Sequence, residues 1–400
     1  MKILYIHQYF ETPDENGTTR SYWFAKRLIE RGHQVTMLTS THDATTRLAG
    51  VYNIEDIKVR YISCNYANEM PVYKKLFSFL FFMTASFFYA IKEKDVDLVF
   101  ATSTPLTVGF IALLLHKIRR KRYVFEVRDL WPTFPIEIGA IKNILLIKLL
   151  KKIEKKIYKH ARLIIALSPG MRDGIVEALP AAVDKTIVIP NMSKPDIFYP
   201  RENLKDIAAK FNIDLLQFNV IHFGAMGVAN GLEYIIEAAK DAMKRSIHSV
   251  NFIFLGNGAV KKQLKNEVEK YLLTNVKFID RENTYVTSEI VNCCNATITS
   301  FLNLPVLQTN SPNKLFDSLS AGKPVIVNSA GWTKKLVEEY NCGVFVDPDY
   351  PNQLVDAILD LKNDVEKQKE MGKNARDISL RIFDKEILSN KLVDELEAIL

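Results

Sequence analysis

Cysteine is scarce in this chain, with four among 400 residues. Cys64, Cys293, Cys294 and Cys342 lack the spacing of a zinc site or a redox motif, so we expect reduced cysteines in a cytosolic protein. Residues 1–6 enter a predicted strand directly, which argues against a signal peptide. Low-complexity tracts are also missing, and 48% of the residues are hydrophobic. This composition predicts a chain that is folded throughout, and its length fits two domains.

Long apolar runs are missing as well. The segment at 76–91 comes nearest, with sixteen residues, six of them phenylalanine, between lysine-containing flanks. A bilayer span needs about 20 residues, so this segment predicts either a helix at a membrane surface or a buried core helix. The net charge of +7 arises in the first two hundred residues. Such a surface fits an anionic membrane or a nucleic acid, but ordinary solvated helices would give the same balance.

Metal-ligand clusters are a further absence. No His/Cys group has the spacing of metal ligands, and His7 is more typical of a hydrogen-bonded core residue. The Asp-x-Asp triplet at 95–97 precedes its predicted strand, and the triplet at 347–349 contains a proline and predicts a turn. We therefore expect no metal site and no cofactor.

Short apolar strands alternate with amphipathic helices along the whole chain. This alternation predicts an α/β fold of two doubly wound, Rossmann-like domains built on parallel sheets, with a ligand cleft between them. Three prolines between 189 and 200 predict the linker, so the domains are placed at 1–190 and 191–383, with a last helix at 384–400 that packs back on the first domain. The predicted strands are 2–8, 34–38, 58–62, 98–101, 123–127, 163–166, 186–189, 219–223, 250–255, 276–279, 296–299, 324–327 and 343–346.

The most informative motif spans residues 311–327. It predicts a loop, a helix, a Gly-Lys-Pro turn and a buried strand. Asn313 and Lys314 would lie at the helix N-terminus, where free N–H groups and the helix dipole favour phosphate. Asp317 would lie one turn further on, where a carboxylate can accept hydrogen bonds from two sugar hydroxyls. The pattern therefore suits a nucleotide sugar, although a capped helix that simply enters a buried strand fits it equally well.

Glycine loops follow three predicted strands. They contain Gly17 before the first helix, Gly227 within 223–232, and the Leu-Gly-Asn-Gly run at 255–258. Glycine lets the backbone approach an anion, but none of these loops has the G-x-G-x-x-G spacing of a dinucleotide site. Each alone fits an ordinary turn, whereas two of them at strand ends of one domain favour a nucleotide-binding edge.

Charged residues also end the strand at 123–127. Arg128 and Asp129 follow it, and Asp129 is a candidate to accept a proton from an acceptor hydroxyl. A structural pair between Arg128 and Asp129, with Trp131 as a packing anchor, is the alternative. Glu126 lies within the strand, and the strand's alternation leaves its direction open.

Taken in order, these motifs resemble the family 4 glycosyltransferases, which have the GT-B fold. The likeness covers nearly the whole chain, and runs through residues 2–4, the Gly17 loop, 31–36, 189–191, 231–233, 255–258 and 321–325. The runs at 129–132 and 311–317 are similar to a bacterial subgroup of L-fucosamine (N-acetyl-L-fucosamine) transferases that serves O-antigen and capsule synthesis.

The resemblance implies roles for individual residues. Gly17 would approach the donor phosphate, Asn313, Lys314 and Leu315 would hold the diphosphate, Asp317 would bind ribose, and Arg281 would lie near the base. Three departures stand out: Thr309 replaces the first acid of the E-x7-E motif, Ala225 and Asn230 replace the phosphate-loop cations, and Arg128 replaces a frequent histidine. Lys314 must then carry more of the leaving-group charge, and loss of the histidine would suit a 6-deoxy sugar.

The resemblance implies a metal-independent, retaining transfer of an N-acetylated amino sugar from a UDP-sugar to an undecaprenyl-diphosphate-linked acceptor in O-antigen or capsule synthesis. Asp129, Arg128 and Lys314 are the candidate catalytic residues. The expected partners are a nucleotide sugar, a lipid-linked glycan and the inner face of the cytoplasmic membrane, with no nucleic acid. A nucleotide-sugar epimerase of the same two-domain shape and a non-catalytic sugar-binding protein are the alternatives.

Overall fold

The computed structural model describes residues 1–15, 19–41, 47–64, 70 and 72–399. The chain forms two compact units. Unit 1 contains Met1–Pro190 together with Glu386–Leu400, and unit 2 contains Asn191–Lys385. Each unit is an α/β sandwich around one sheet, which confirms the predicted fold class.

Unit 1 is built on an eight-stranded sheet in the order β3-β4-β2-β1-β5-β6-β7-β8. Its strands are β1 (Lys2–Ile6), β2 (Gln34–Ser40), β3 (Gly50–Ile54), β4 (Ile57–Ile62), β5 (Leu98–Thr102), β6 (Arg122–Val127), β7 (Leu163–Ala166) and β8 (Thr186–Val188). Its helices are α1 (Arg20–Glu30), α2 (Val72–Ala90), α3 (Leu106–Arg119), α4 (Thr133–Glu137), α5 (Ile144–His160), α6 (Pro169–Ala178) and the last helix of the chain, α15 (Lys385–Ala398). The strand order reverses at β1 and β5, the usual place for a ligand in such sheets.

Unit 2 is built on a six-stranded parallel sheet in the order β11-β10-β9-β12-β13-β14. Its strands are β9 (Phe218–Phe223), β10 (Val250–Leu255), β11 (Val276–Ile279), β12 (Ala296–Thr299), β13 (Val325–Val327) and β14 (Gly343–Phe345). Its helices are α7 (Lys205–Lys210), α8 (Glu233–Lys244), α9 (Lys261–Lys270), α10 (Thr284–Asn292), α11 (Asn313–Ser320), α12 (Trp332–Glu339), α13 (Pro351–Asn363) and α14 (Val365–Arg381). The order reverses between β9 and β12, so the loop after β9 and the N-terminus of α11 lie at the same edge.

The alternation along β13 shows how both faces of the unit 2 sheet are covered. Val325 and Val327 pack into the hydrophobic cluster formed with α11 and α12, while Ile326 packs into the cluster formed with α8 and α13. Successive side chains of a strand point to opposite faces. A strand buried on both sides therefore has a continuous apolar sequence, as β13 does.

The predicted strands are all present, and most bounds agree within two residues. Strand β3 was not predicted; it pairs antiparallel with β4 at the edge of the unit 1 sheet, and the other strand pairs of that sheet are parallel, as expected. A single antiparallel edge strand on a parallel sheet is common in large sheets, and the partly exposed β3 carries little hydrophobic signal.

A fully buried ion pair joins α1 to β6. The Arg20 Nε atom lies 2.8 Å from Glu126 Oε1, and both side chains are almost completely buried. Glu126 also accepts a hydrogen bond from Thr102, and Arg20 also donates to the carbonyls of Ile189 and Pro190. The sequence left the direction of Glu126 open, and the structure turns it inward toward α1.

Helix α15 contributes acidic partners to the surface of unit 1. Arg31 donates to Asp394 at 3.0 Å and to Glu397 at 2.6 Å, and His33 lies 2.9 Å from the other oxygen of Glu397. A single exposed ion pair contributes little to the stability of a fold. Here Arg31 and His33 share acids on the same short stretch of α15, so their contributions combine.

We expect Glu126→Gln to lower the free energy of unfolding by about 3 kcal/mol, because it leaves the buried Arg20 charge without its counter-ion. Chemical denaturation would measure the loss. Glu177→Gln, at an exposed acid of α6, is the matched control and should change stability by less than about 0.5 kcal/mol. Equal, small effects of the two substitutions would contradict a stabilising role for the pair.

Candidate functional site

Lys314 occupies the carboxyl edge of the unit 2 sheet. It is the second residue of α11, and its half-buried side chain places Nζ 3.0 Å from Nε2 of His222, near the end of β9. Gly224 follows β9 with a positive φ, and a Cβ atom there would lie 3.8 Å from Lys314 Cε. The loop after β9 and the start of α11 therefore form one small polar surface.

The histidine that contacts Lys314 is neutral. Burial keeps the His222 ring uncharged, and an uncharged ring can accept a hydrogen bond from Lys314 at Nε2. Burial, reinforced by the charge of Lys314, lowers the pKa of His222 well below its ordinary value. Burial also lowers the pKa of Lys314 to about 7. A bound anion would raise the pKa of this lysine again and restore its charge, so the buried lysine favours binding of an anion.

Asp317, one turn along α11, forms an ion pair that the sequence did not predict. Lys194 Nζ lies 2.9 Å from Oδ1 and 3.2 Å from Oδ2 of Asp317, and both residues are buried. Burial raises the pKa of Asp317, and the charge of Lys194 opposes that rise. The acid that the sequence assigned to ribose binding is thus held by a lysine from the start of unit 2.

The glycine loops of unit 2 pack against each other through their backbones. A Cβ atom at Gly256 would lie 2.0 Å from the carbonyl oxygen of Gly224, and one at Gly258 would lie 2.4 Å from that of Met226. The N–H of Gly227 donates to Asn230 Oδ1 at 3.1 Å. These glycines bring two loops together, and the Gly227 amide already has a partner within its own loop.

The remaining predicted donor residues have distinct settings. Asn313 begins α11 and is half-buried; the side chain of Leu315 belongs to the apolar core, and its N–H donates to Pro312 at 3.1 Å. Arg281 is half-buried just beyond the end of β11. Thr309 ends a short 3-10 helix and donates to Val306. Gly17 lies outside the described residues.

The carboxyl edge of the unit 1 sheet has its own polar group. Arg128 Nη1 lies 3.3 Å from His7 Nε2, and His7 Nδ1 lies 2.8 Å from Ser21 Oγ. Thr104 donates to Asp129 at 2.8 Å, and burial raises the pKa of Asp129. Within the described ranges Arg128 and Asp129 do not pair with each other, so the structural-pair interpretation is not observed.

Sequence reasoning missed His222 and Lys194. His222 lies inside an apolar strand, so only its position just before Gly224 hinted at a role. Lys194 lies in the proline-containing linker, and its contact with Asp317 joins residues more than 120 positions apart. Across the part of the chain that the structure describes, no group of three or more His, Cys, Asp or Glu side chains is placed to hold a metal ion.

Two family models match the chain, one in each half. "Glycosyl transferase 4-like domain" matches residues 17–192, and "Glycosyl transferases group 1" matches residues 205–378. Together they cover most of both units.

Curated relatives match parts of the chain. An uncharacterized glycosyltransferase of Methanocaldococcus jannaschii is 26% identical over 156 residues, which are 39% of this chain and 41% of that protein. A D-inositol 3-phosphate glycosyltransferase of Paenarthrobacter aurescens is 22% identical over 225 residues, 56% of this chain and 54% of the relative. The matched part is thus about half the length of these relatives or less.

Solved structures match along the full length. Sucrose-phosphate synthase from Thermosynechococcus elongatus gives a TM-score of 0.80 at 18% identity and 100% coverage of both chains. HepE of Anabaena, solved with UDP and glucose, gives 0.74 at 18% identity and 99% coverage of both chains. WaaG, described as a glycosyltransferase involved in lipopolysaccharide biosynthesis, gives a TM-score of 0.71 at 15% sequence identity. The match covers 98% of this chain and 99% of WaaG. These likenesses establish the GT-B fold.

We expect Lys314→Met to change how stability depends on pH. In the native protein the folded state loses the Lys314 proton near pH 7, whereas the unfolded chain keeps it to about pH 10. The unfolded state therefore binds more protons between these values, and native stability gains from a rise in pH. The variant lacks this gain, so its stability relative to the native protein should be higher at pH 7 than at pH 9. Parallel melting curves at the two pH values would contradict the assignment.

Proposed function

The chain belongs to the glycosyltransferases of the GT-B fold, and we propose that it transfers a sugar from a UDP-sugar to a hydroxyl of a lipid-linked glycan, with retention at the anomeric carbon. The observation that carries this proposal is the arrangement of Lys314 at the N-terminus of α11, beside the loop that follows β9. A departing diphosphate needs positive charge there, and the lysine and the helix dipole both supply it.

The donor side of the reaction belongs to unit 2. The Lys314 ammonium and the first N–H groups of α11 would hold the diphosphate, and Asp317 would accept the ribose hydroxyls. Asn313, Gly227 and Arg281 are proposed as further donor contacts. HepE was solved with UDP and UDP-glucose, which supports uridine as the base to test first.

In the proposed reaction, the bond between the anomeric carbon and the β-phosphate oxygen breaks and a bond to the acceptor oxygen forms on the same face. The acceptor proton passes to the departing phosphate, so no covalent enzyme nucleophile is required. Protein cations neutralise the charge that develops on the diphosphate, which is why we propose a reaction without metal.

Unit 1 would supply the acceptor side. Asp129 is the proposed polar contact to the acceptor hydroxyl, and its bond from Thr104 fixes its orientation. Arg128 is held by His7 and would steady a phosphate of the lipid-linked acceptor. Both side chains are half-buried at the carboxyl edge of β6, the edge where such sheets bind ligands.

The resemblance to the L-fucosamine transferase subgroup supports a more specific proposal for the two substrates. The donor sugar is an N-acetylated amino sugar, and a 6-deoxy sugar such as N-acetyl-L-fucosamine fits the replacement of the frequent histidine by Arg128. The acceptor is an undecaprenyl-diphosphate-linked glycan of O-antigen or capsule synthesis. The lipopolysaccharide role stated for WaaG, a neighbour in fold, supports testing this class of acceptor.

The proposed location is the inner face of the cytoplasmic membrane, through peripheral contact. None of the helices in the described ranges is long and apolar enough to cross a bilayer. Helix α2, however, exposes large apolar side chains, among them Leu76, Phe77, Leu80, Phe81 and Phe88. Monomeric proteins seldom expose so much contiguous apolar surface without a partner.

Helix α5 contacts α3, as α2 does, and has an exposed surface of its own that combines apolar and basic side chains. Ile144, Leu145, Leu146 and Leu149 are exposed in its first two turns. Six exposed lysines accompany them along the helix: Lys148, Lys151, Lys152, Lys155, Lys156 and Lys159. Exposed leucine beside dense lysine is the composition of helices that lie on anionic lipid surfaces.

We expect UDP to raise the melting temperature of the native protein, since a ligand of the folded state stabilises it. Lys314→Met should abolish most of this shift in melting temperature, while Lys262→Met, at an exposed lysine of α9, should leave it unchanged.

Between pH 7 and pH 9 the affinity for UDP should fall, because Lys314 loses its proton over this range while the nucleotide stays ionised.

If GDP rather than UDP raised the melting temperature, the proposed mechanism would stand and the donor would be a GDP-sugar. The absence of a shift with either nucleotide would contradict the donor site. Release of UDP from UDP-N-acetylamino sugars only when a polyprenyl-diphosphate glycan is added would separate a transferase from an epimerase and from a binding protein.

Vesicle sedimentation tests the membrane contact. The native protein should bind phosphatidylcholine vesicles that contain phosphatidylglycerol better than vesicles of phosphatidylcholine alone. Leu145→Glu with Leu149→Glu should weaken this binding about tenfold, because it removes apolar area and adds negative charge. Leu216→Glu, at a leucine of unit 2 that is 94% exposed, is the matched control. Equal loss in control and variant, or no binding by the native protein, would contradict the proposal.

A further inference from the structure

Lys194 and Asp317 form the only one of the described ion pairs of unit 2 in which both side chains are less than a tenth exposed. The lysine comes from the first residues of unit 2, and the acid lies in the middle of α11. The Phe198 ring lies 5.3 Å from the same ammonium group. Two charges have thus been taken out of water beside the residues proposed to bind the nucleotide.

Burial of this kind needs a reason, because a buried ion pair rarely stabilises a fold more than apolar residues of the same size would. If Lys194 were absent, burial would favour the protonated form of Asp317, since its pKa is already raised. A protonated acid is a poorer acceptor for sugar hydroxyls than a carboxylate. Lys194 therefore sets which form of Asp317 a ligand would meet.

The backbone around Lys194 is fastened to α11 along its length. Asn191 donates to Ser311, Ser193 donates to the carbonyl oxygen of Phe316 at 3.0 Å, and Ser320 donates to that of Phe198 at 2.8 Å. The segment therefore follows the helix from before its first turn to its last residue. This attachment fixes the position of the ammonium group as well as its charge.

We propose that Lys194 is a positioning residue for nucleotide binding: it keeps the Asp317 carboxylate ionised and oriented so that it accepts the ribose hydroxyls. This inference rests on the proposed UDP-sugar site and adds to it a residue that does not itself touch the substrate. The competing interpretation is that the pair only joins the linker to α11 and that Asp317 contacts no ligand.

The pH dependence of UDP affinity separates the two interpretations. In Lys194→Met, Asp317 should gain a proton at neutral pH, so UDP should bind about tenfold more weakly than to the native protein at pH 6.5. The deficit should shrink as pH rises to 8.5 and the carboxylate re-forms. A purely structural lysine would give a deficit that does not depend on pH, and calorimetric titration with UDP would measure it.

A double-mutant cycle provides the second readout. Asp317→Asn should weaken UDP binding at every pH, and adding Lys194→Met to it should cause little further loss, since the lysine acts through the acid. Additive losses would overturn the proposal. Lys385→Met is the matched control: Lys385 is also about nine-tenths buried, but its ion-pair partner, Asp196 at 2.8 Å, lies outside α11.

Lys194→Arg keeps the positive charge, so we expect it to bind UDP with nearly native affinity. This variant tests the role of the charge even where Lys194→Met folds poorly. Native affinity for UDP in Asp317→Asn would overturn the inference while leaving the Lys314 site intact. Failure of the native protein itself to bind UDP would instead count against the proposed function. The two failures are therefore distinguishable in one set of titrations.

Discussion

The buried ion pair between Arg20 and Glu126 holds unit 1 together at the point where its chain leaves for unit 2. Arg20 belongs to α1, Glu126 to β6, and the carbonyls that Arg20 also binds are those of Ile189 and Pro190. Three segments that are distant in sequence meet at one guanidinium group. Arg128 and Asp129 come directly after β6, the strand that this ion pair attaches to α1.

The edge of the unit 2 sheet contains one paired and one unpaired charge. Asp317 pairs with Lys194, as Glu126 pairs with Arg20. Among the described residues, the hydrogen-bond partner of the Lys314 side chain is the neutral ring of His222. A cation without a counter-ion lowers stability in the empty protein, and the same deficit favours binding of an anion. Such a trade between stability and binding is common at functional sites.

The sequence predicted the α/β fold because its periodicity is a local property: each strand is a short apolar run between turn signals. Local signals also located α11 and the loop after β9. They missed β3, whose pairing depends on its neighbour β4, and they could not reveal His222 or Lys194 as partners. Those contacts arise only when distant segments pack together. The donor roles of Lys314 and Asp317 are predictions that the UDP titrations test, and the acceptor roles of Arg128 and Asp129 are predictions as well.

The pairing of Arg31 with the acids of α15 has a consequence for how such proteins diversify. Unit 1 is discontinuous in sequence, since it takes residues from both ends of the chain, and unit 2 is formally an insertion within it. An exchange of the whole second half between two related genes would replace Asp394 and Glu397 while keeping Arg31 and His33. A recombination that exchanges only the nucleotide-binding unit therefore needs two crossover points, one after residue 190 and one before residue 386.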